Sequence, residues 1–104
     1  MGIKANQLVQ TFYTFGRLGE HTPGERWPKD RLYHDFFRSY SDARKAVYEL
    51  REEIVSDMTG SGKWMPMQIE RVELAPLDID NTLALLNSGP AAVVLSIEAL
   101  EVVF

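Results

Sequence analysis

The chain has 104 residues and no Cys, and its 15 Asp/Glu against 11 Lys/Arg give a net charge of −4. This length suits one small globular domain over residues 1–104, and the lack of Cys excludes disulfide bonds, thiolate metal sites and Cys nucleophiles. No apolar run reaches the roughly 20 residues of a membrane helix, and the first ten residues lack the apolar stretch of a secretory signal. We therefore expect a cytoplasmic protein without a membrane partner.

The first part of the chain predicts a β-hairpin with a long tip. Residues 8–15 are rich in β-branched and aromatic side chains, and residues 31–37 alternate partially, so each segment predicts a strand. The sequence Thr22-Pro23-Gly24-Glu25 between them is typical of a reversal, because Pro presets φ at the first central turn position and Gly accepts a positive φ at the second. Pro28 cannot donate a ladder hydrogen bond, so regular pairing is expected only after it.

The clearest predicted element is an amphipathic helix that begins after Ser39. Ser39 and Asp42 have the spacing of a capping box. Apolar residues then recur at spacings of three and four, which indicates one buried stripe. The stripe consists of Tyr40, Ala43, Val47, Leu50, Ile54 and Met58. Gly60 or Gly62 is expected to end this helix.

The second half of the chain predicts a strand, a short helix and a tail. Residues 63–74 predict a strand with a β-bulge near Glu70 and Arg71, because the apolar positions change parity there. Residues 78–89 predict a short helix with an apolar stripe formed by Ile79, Leu83 and Leu86. Residues 90–104 fit a helix or a strand, and we expect a strand or extended arm for the last five.

Together these elements predict an α+β fold of order β-β-α-β-α-(β). The expected core is a small antiparallel sheet of three to four strands, with one long and one short helix. A sheet of this size buries its apolar side under helices, so we expect both helices on one face.

The predicted hairpin tip carries the main candidate for a binding site. Arg and Trp are among the residue types most enriched at protein-binding hot spots, and Arg26 and Trp27 stand side by side there. A Trp outside a regular strand folds back on the core, is covered by its own loop, or contacts a partner. The predicted partner-binding set is Arg26, Trp27, Lys29, Arg31 and His21.

A second candidate surface is acidic. Residues 1–45 hold eight of the 11 Lys/Arg, whereas residues 46–104 hold ten of the 15 Asp/Glu, so the folded chain could present an acidic face. The candidate residues are Glu49, Glu52, Glu53 and Asp57. Such a face could mimic a nucleic acid, as in an acidic inhibitor from a mobile element, but a solvated helix face explains the same charges.

The sequence offers no set of residues for catalysis. Each of the two His residues, His21 and His34, stands beside a carboxylate, but a metal site needs three or four converging ligands and the two His need not meet. No nucleophile-elbow sequence is present, and the acidic charge disfavours binding to nucleic acid. We expect no enzymatic activity, no cofactor and no metal.

The resulting prediction is a non-enzymatic protein-interaction module. It would bind another protein, or a second copy of itself as a homodimer, through the hairpin tip and a strand edge. The alternative is a small ligand-binding protein or enzyme with its pocket at a dimer interface.

Overall fold

In the part of the chain that the structure describes, three strands form one antiparallel sheet. The computed structural model describes residues 9–19, 22–27, 35–56 and 63–104. The strands are β1 (Gln10–Arg17), β2 (Met67–Leu74) and β3 (Val94–Val103), and β2 lies between the other two.

The described residues also form two helices and two shorter helical turns. They are the single turn α1 (Pro23–Arg26), the long helix α2 (Tyr40–Val55), the short helix α3 (Ile79–Ser88) and a 3₁₀ turn at Pro90–Ala92. The predicted α+β fold, with an antiparallel sheet, one long helix and one short helix, is confirmed. No helix in the described ranges is long and apolar enough to cross a membrane.

Both helices begin at the residues that the sequence predicts. The Ser39 side chain accepts a hydrogen bond from the backbone N–H of Asp42 at 3.1 Å, which satisfies one of the free donors at the start of α2. The Asp78 side chain caps α3 in the same way, with the N–H of Asn81 at 2.7 Å. Gly89 ends α3 at a φ of 83°, a conformation that favours glycine. The predicted end of α2 at Gly60 or Gly62, and Met58 of its stripe, lie outside the described residues.

The predicted hairpin is present only in part. Residues 22–25 do not form a β-turn. They lead into the single helical turn α1, in which Arg26 and Trp27 donate backbone hydrogen bonds to the carbonyls of Thr22 and Pro23 at 3.0 and 2.8 Å. Pro is as favourable in a first helical turn as in a β-turn, so its position does not separate the two. Tyr13 and Phe37 form one antiparallel bridge on the outer edge of β1, while residues 28–34 lie outside the described ranges.

The apolar residues of β2 point to both faces of the sheet. On one face, Val72 packs with Trp27 and Val93 in a core cluster that also receives side chains from α3. On the other face, Ile69 packs with Ala43 and Val47 of α2. The helices therefore cover both faces, which corrects the prediction that they share one.

This two-sided burial explains the parity change that predicts a bulge in β2. The pairing of β1 with β2 is regular from Gln10 to Arg17, so β2 itself carries no extra residue. The two irregularities lie between β2 and β3, and in each the extra residue belongs to β3: Leu95 at one position and Leu100 at the other. The parity change in β2 reflects two buried faces instead.

Candidate interaction surfaces

Arg26 lies inside the protein and not on its surface. Its side chain is 3% exposed and reaches Glu70, a fully buried residue in the middle of β2. The guanidinium donates from Nε and Nη2 to Glu70 Oε1, at 2.8 and 2.6 Å. Glu70 Oε2 accepts a hydrogen bond from Gln68 Nε2 at 2.7 Å. Both carboxylate oxygens are thus satisfied, as burial of a charge requires.

Gly16 makes the space for this ion pair. Gly16 lies opposite Gln68 in the register of β1 and β2. A Cβ atom at Gly16 would lie 2.2 Å from Arg26 Cζ, far inside van der Waals contact. A glycine inside a strand often marks such a close approach, and here the approaching group is the Arg26 guanidinium.

Trp27 is part of the core. Its side chain is 2% exposed and packs with Val72, Leu74 and Val93. Its ring centroid lies 5.5 Å from that of Phe36, and Arg26 Cζ lies 5.0 Å from the indole centroid. The indole therefore covers the buried ion pair as well as apolar surface.

The burial of these two residues corrects the predicted hairpin-tip site. Arg26 and Trp27 were expected to be exposed to a partner, but the first neutralises Glu70 and the second fills the core. The physical reason is that a small sheet gains more from burying an indole than from leaving it in water. The other members of the predicted set, His21, Lys29 and Arg31, lie outside the described residues.

The predicted acidic surface is mixed in charge. Glu49, Glu52 and Glu53 are exposed on α2, and Asp57 lies outside the described residues. The same helix also exposes Arg44 and Lys45. Glu49, Glu52 and these two basic residues line one open depression of about 370 Å³ together with Tyr40, Ser41 and Tyr48. Interleaved charges of this kind are typical of a solvated helix face.

Glu101 of β3 forms hydrogen bonds with three side chains of α2, and the sequence does not predict this contact. The Glu101 carboxylate accepts hydrogen bonds from the hydroxyls of Tyr40 and Tyr48 and from Arg44 Nε, the last two at 3.2 Å. Tyr40, Arg44 and Tyr48 are spaced by four residues and so share one side of a helix. That spacing is the only sequence signal of the contact, and it does not identify the acceptor.

The apolar stripe of α3 faces solvent. Ile79, Leu83 and Leu86 are 78%, 50% and 75% exposed, whereas Ala84 and Leu85 are half-buried against the core cluster of Trp27. The predicted helix is confirmed, but its stripe points away from the protein. The orientation is fixed from the other side, where Asn81 Nδ2 donates a hydrogen bond to the carbonyl of Pro76 at 2.7 Å.

The outer edge of β3 has no partner strand among the described residues. β3 is ten residues long and pairs only with β2 there. Its sequence contains no Lys, Arg or Pro, so the features that protect it from further pairing are Glu98, Glu101 and the bulges at Leu95 and Leu100. Leu95 and Leu100 are 58% and 37% exposed along it.

A shallow apolar groove opens on the face of the sheet that carries Trp27. It encloses about 210 Å³ and is lined only by apolar residues. They are Phe12, Phe36, Leu74, Leu85 and Pro90. Such a lining can hold a small apolar group but offers no polar atom to orient it.

The described residues do not bring metal-ligating side chains together. Within residues 9–19, 22–27, 35–56 and 63–104, no three His, Asp or Glu side chains converge closely enough to hold a metal ion. No known protein family, curated protein or solved structure matches this chain.

Proposed function

We propose that this protein is a non-enzymatic protein-interaction module, which binds through the outward stripe of α3 and the outer edge of β3. The observation that carries the proposal is the exposure of Ile79, Leu83 and Leu86 on one side of one helix. Water-exposed Leu and Ile side chains are common one at a time, but a contiguous row of them marks a contact surface. A helix with such a row binds by laying it into an apolar groove of a partner.

The composition of α3 favours a protein over other partners. The helix contains no Lys or Arg, and Asp80 lies in its first turn after the cap Asp78. Helices that lie on membranes usually carry basic residues that attract anionic lipids, and surfaces that bind nucleic acid need basic residues to neutralise phosphates. An apolar row flanked by acidic and neutral side chains suits neither. We place the protein in the cytoplasm, an assignment supported by the lack of Cys.

Site-specific photo-crosslinking in the source cells tests this function. A photoreactive amino acid replaces Leu86 in one variant and Glu52 in a control variant, since both side chains are exposed but only Leu86 belongs to the stripe. We expect a discrete cross-linked protein from position 86 and none from position 52. Equal labelling from both positions, or none from position 86, would contradict the proposal.

The apolar groove supports a second candidate function, the binding of a small apolar ligand. Its wholly apolar lining between Phe12, Leu74 and Pro90 is the observation in its favour. A ligand that binds the folded state raises the melting temperature in proportion to the logarithm of its concentration. Thermal shifts measured with a series of alkyl chains of increasing length, in wild type and a Leu85→Gln variant, test this candidate. Stabilisation confined to wild type would support it.

A further inference from the structure

We infer that the outer edge of β3 pairs antiparallel with β3 of a second copy of this chain, which joins two sheets into one of six strands. The inference rests on the proposed interaction function and assigns one of its two surfaces. The edge in question runs over Val94–Val103, opposite to β2. The other edge of the sheet differs, because Phe37 already exchanges two backbone hydrogen bonds with Tyr13 of β1, at 2.9 and 2.7 Å.

The charges of β3 permit a second acidic chain to approach. β3 carries two carboxylates, and each is compensated within its own chain. Glu98 pairs with Arg71 of β2, and Glu101 accepts hydrogen bonds from Arg44 and from Tyr40 and Tyr48. Both Glu side chains of β3 therefore have a partner in their own chain, which reduces but does not remove their repulsion of a second molecule of net charge −4.

The pairing register follows from the positions of the bulges and of Glu98. Between Leu95 and Leu100, residues 96–99 pair regularly with β2 and form the straight part of the edge. A twofold axis at Ile97 sets Ile97 opposite Ile97 of the second copy, and Ser96 opposite Glu98 of that copy. A twofold axis at Glu98 would instead set two carboxylates directly opposite each other, which is destabilising. The register centred on Ile97 is therefore the one we assign.

This register also covers exposed leucines. Leu95 and Leu100 stand at the two ends of the straight part, and antiparallel pairing brings Leu95 of one copy next to the Leu100 end of the other. One strand supplies both halves of the contact, as a twofold-symmetric interface requires. A strand from a different protein would need a shape that fits the bulges at Leu95 and Leu100.

Substitutions of opposite charge at Ser96 test both the partner and the register. Ser96 is exposed but lies opposite Glu73 of β2, so Ser96→Lys gains and Ser96→Glu loses an interaction within the monomer as well. Thermal denaturation at low protein concentration measures this effect on the monomer, and the dissociation constants are compared for folded protein. In the assigned register, the ammonium group introduced by Ser96→Lys would lie opposite Glu98 of the other copy and attract it. The carboxylate introduced by Ser96→Glu would repel the same Glu98. Because the dimer is twofold symmetric, each effect occurs twice. Sedimentation velocity over a concentration series should then show a dimer whose dissociation constant falls roughly two- to thirty-fold with Ser96→Lys and rises similarly with Ser96→Glu.

Matched variants at Ser88 control for net charge. Ser88 is exposed at the end of α3 and is not part of β3, and Ser88→Lys and Ser88→Glu change the net charge by the same amounts as the Ser96 variants. They should move the dissociation constant much less than the Ser96 variants. A wild type that stays monomeric throughout the series, or a dimer that responds equally at both positions, would overturn the inference. If position 86 still cross-links a protein under either outcome, only the β3 assignment fails and the proposed function stands.

Discussion

Breaking the buried ion pair should cost far more stability than breaking an exposed one of the same chemistry. Glu70→Gln leaves the Arg26 charge buried without its counterion, since the two side chains are 0% and 3% exposed. Removing one partner of a buried pair typically costs about 3–5 kcal/mol. Because a domain of this kind is stable by only about 5–15 kcal/mol in total, this one substitution should remove a large share of the free energy of unfolding.

The control is Glu98→Gln, the same change in the neighbouring strand. Glu98 and Arg71 are 56% and 42% exposed, so their ion pair contributes only about 0–1 kcal/mol. Urea denaturation followed by circular dichroism separates the two cases. With a slope of about 2 kcal/mol/M, Glu70→Gln should lower the midpoint by roughly 1.5–2.5 M and Glu98→Gln by about 0.5 M or less.

A double variant completes this test. Arg26→Met combined with Glu70→Leu removes both charges and keeps apolar volume, and buried pairs replaced in this way often lose little stability. The double variant should therefore be more stable than Glu70→Gln alone. If Glu70→Gln lowers the free energy of unfolding by no more than Glu98→Gln does, the buried ion pair does not stabilise the fold more than the exposed one.

Five further substitutions test other parts of the fold by thermal denaturation. Gly16→Ala should lower the free energy of unfolding by about 1–3 kcal/mol, because its Cβ would collide with the Arg26 guanidinium. Gly24→Ala is the control, since a Cβ there has open space and should cost little. Equal effects of the two substitutions would contradict the collision at Gly16. Ser39→Ala should cost about 1 kcal/mol through loss of the α2 cap, and an unchanged melting temperature would show that the cap contributes nothing. Leu86→Gln should leave the free energy of unfolding within about 0.5 kcal/mol of wild type, because Leu86 is exposed. Leu85→Gln should destabilise the protein clearly, because Leu85 packs against the core cluster. The reverse order would mean that α3 is rotated about its axis.

The sequence predicts the elements that depend on local signals. Ser39 and Asp42, Asp78 and Gly89 mark the ends of helices because their side chains or backbone conformations act within one turn. β1 and β2 follow from the β-branched and aromatic segments at residues 8–15 and 63–74, whereas β3 begins at Val94, in a tail that fits a helix or a strand. These features need no knowledge of which residues meet in space.

The burial of Arg26 and Trp27 depends on contacts with residues distant in the chain, and the sequence does not reveal these contacts. Glu70 lies 44 residues from Arg26 in the chain, so nothing next to Arg26 reveals that its guanidinium has a buried partner. The prediction of an exposed hot spot therefore misassigned Arg26 and Trp27. The row of Ile79, Leu83 and Leu86 was correctly predicted as an apolar stripe, but the pattern alone does not decide whether a stripe faces the core or a partner.

Affinity capture from a lysate of the source cells tests the central claim, that the α3 stripe is a protein-binding surface. The wild type is compared with a Leu83→Glu/Leu86→Glu variant and with a Glu52→Gln/Glu53→Gln control, all shown to be folded by circular dichroism. We expect one protein that the wild type and the control retain and the stripe variant loses. Retention of the same protein by the stripe variant would contradict the claim.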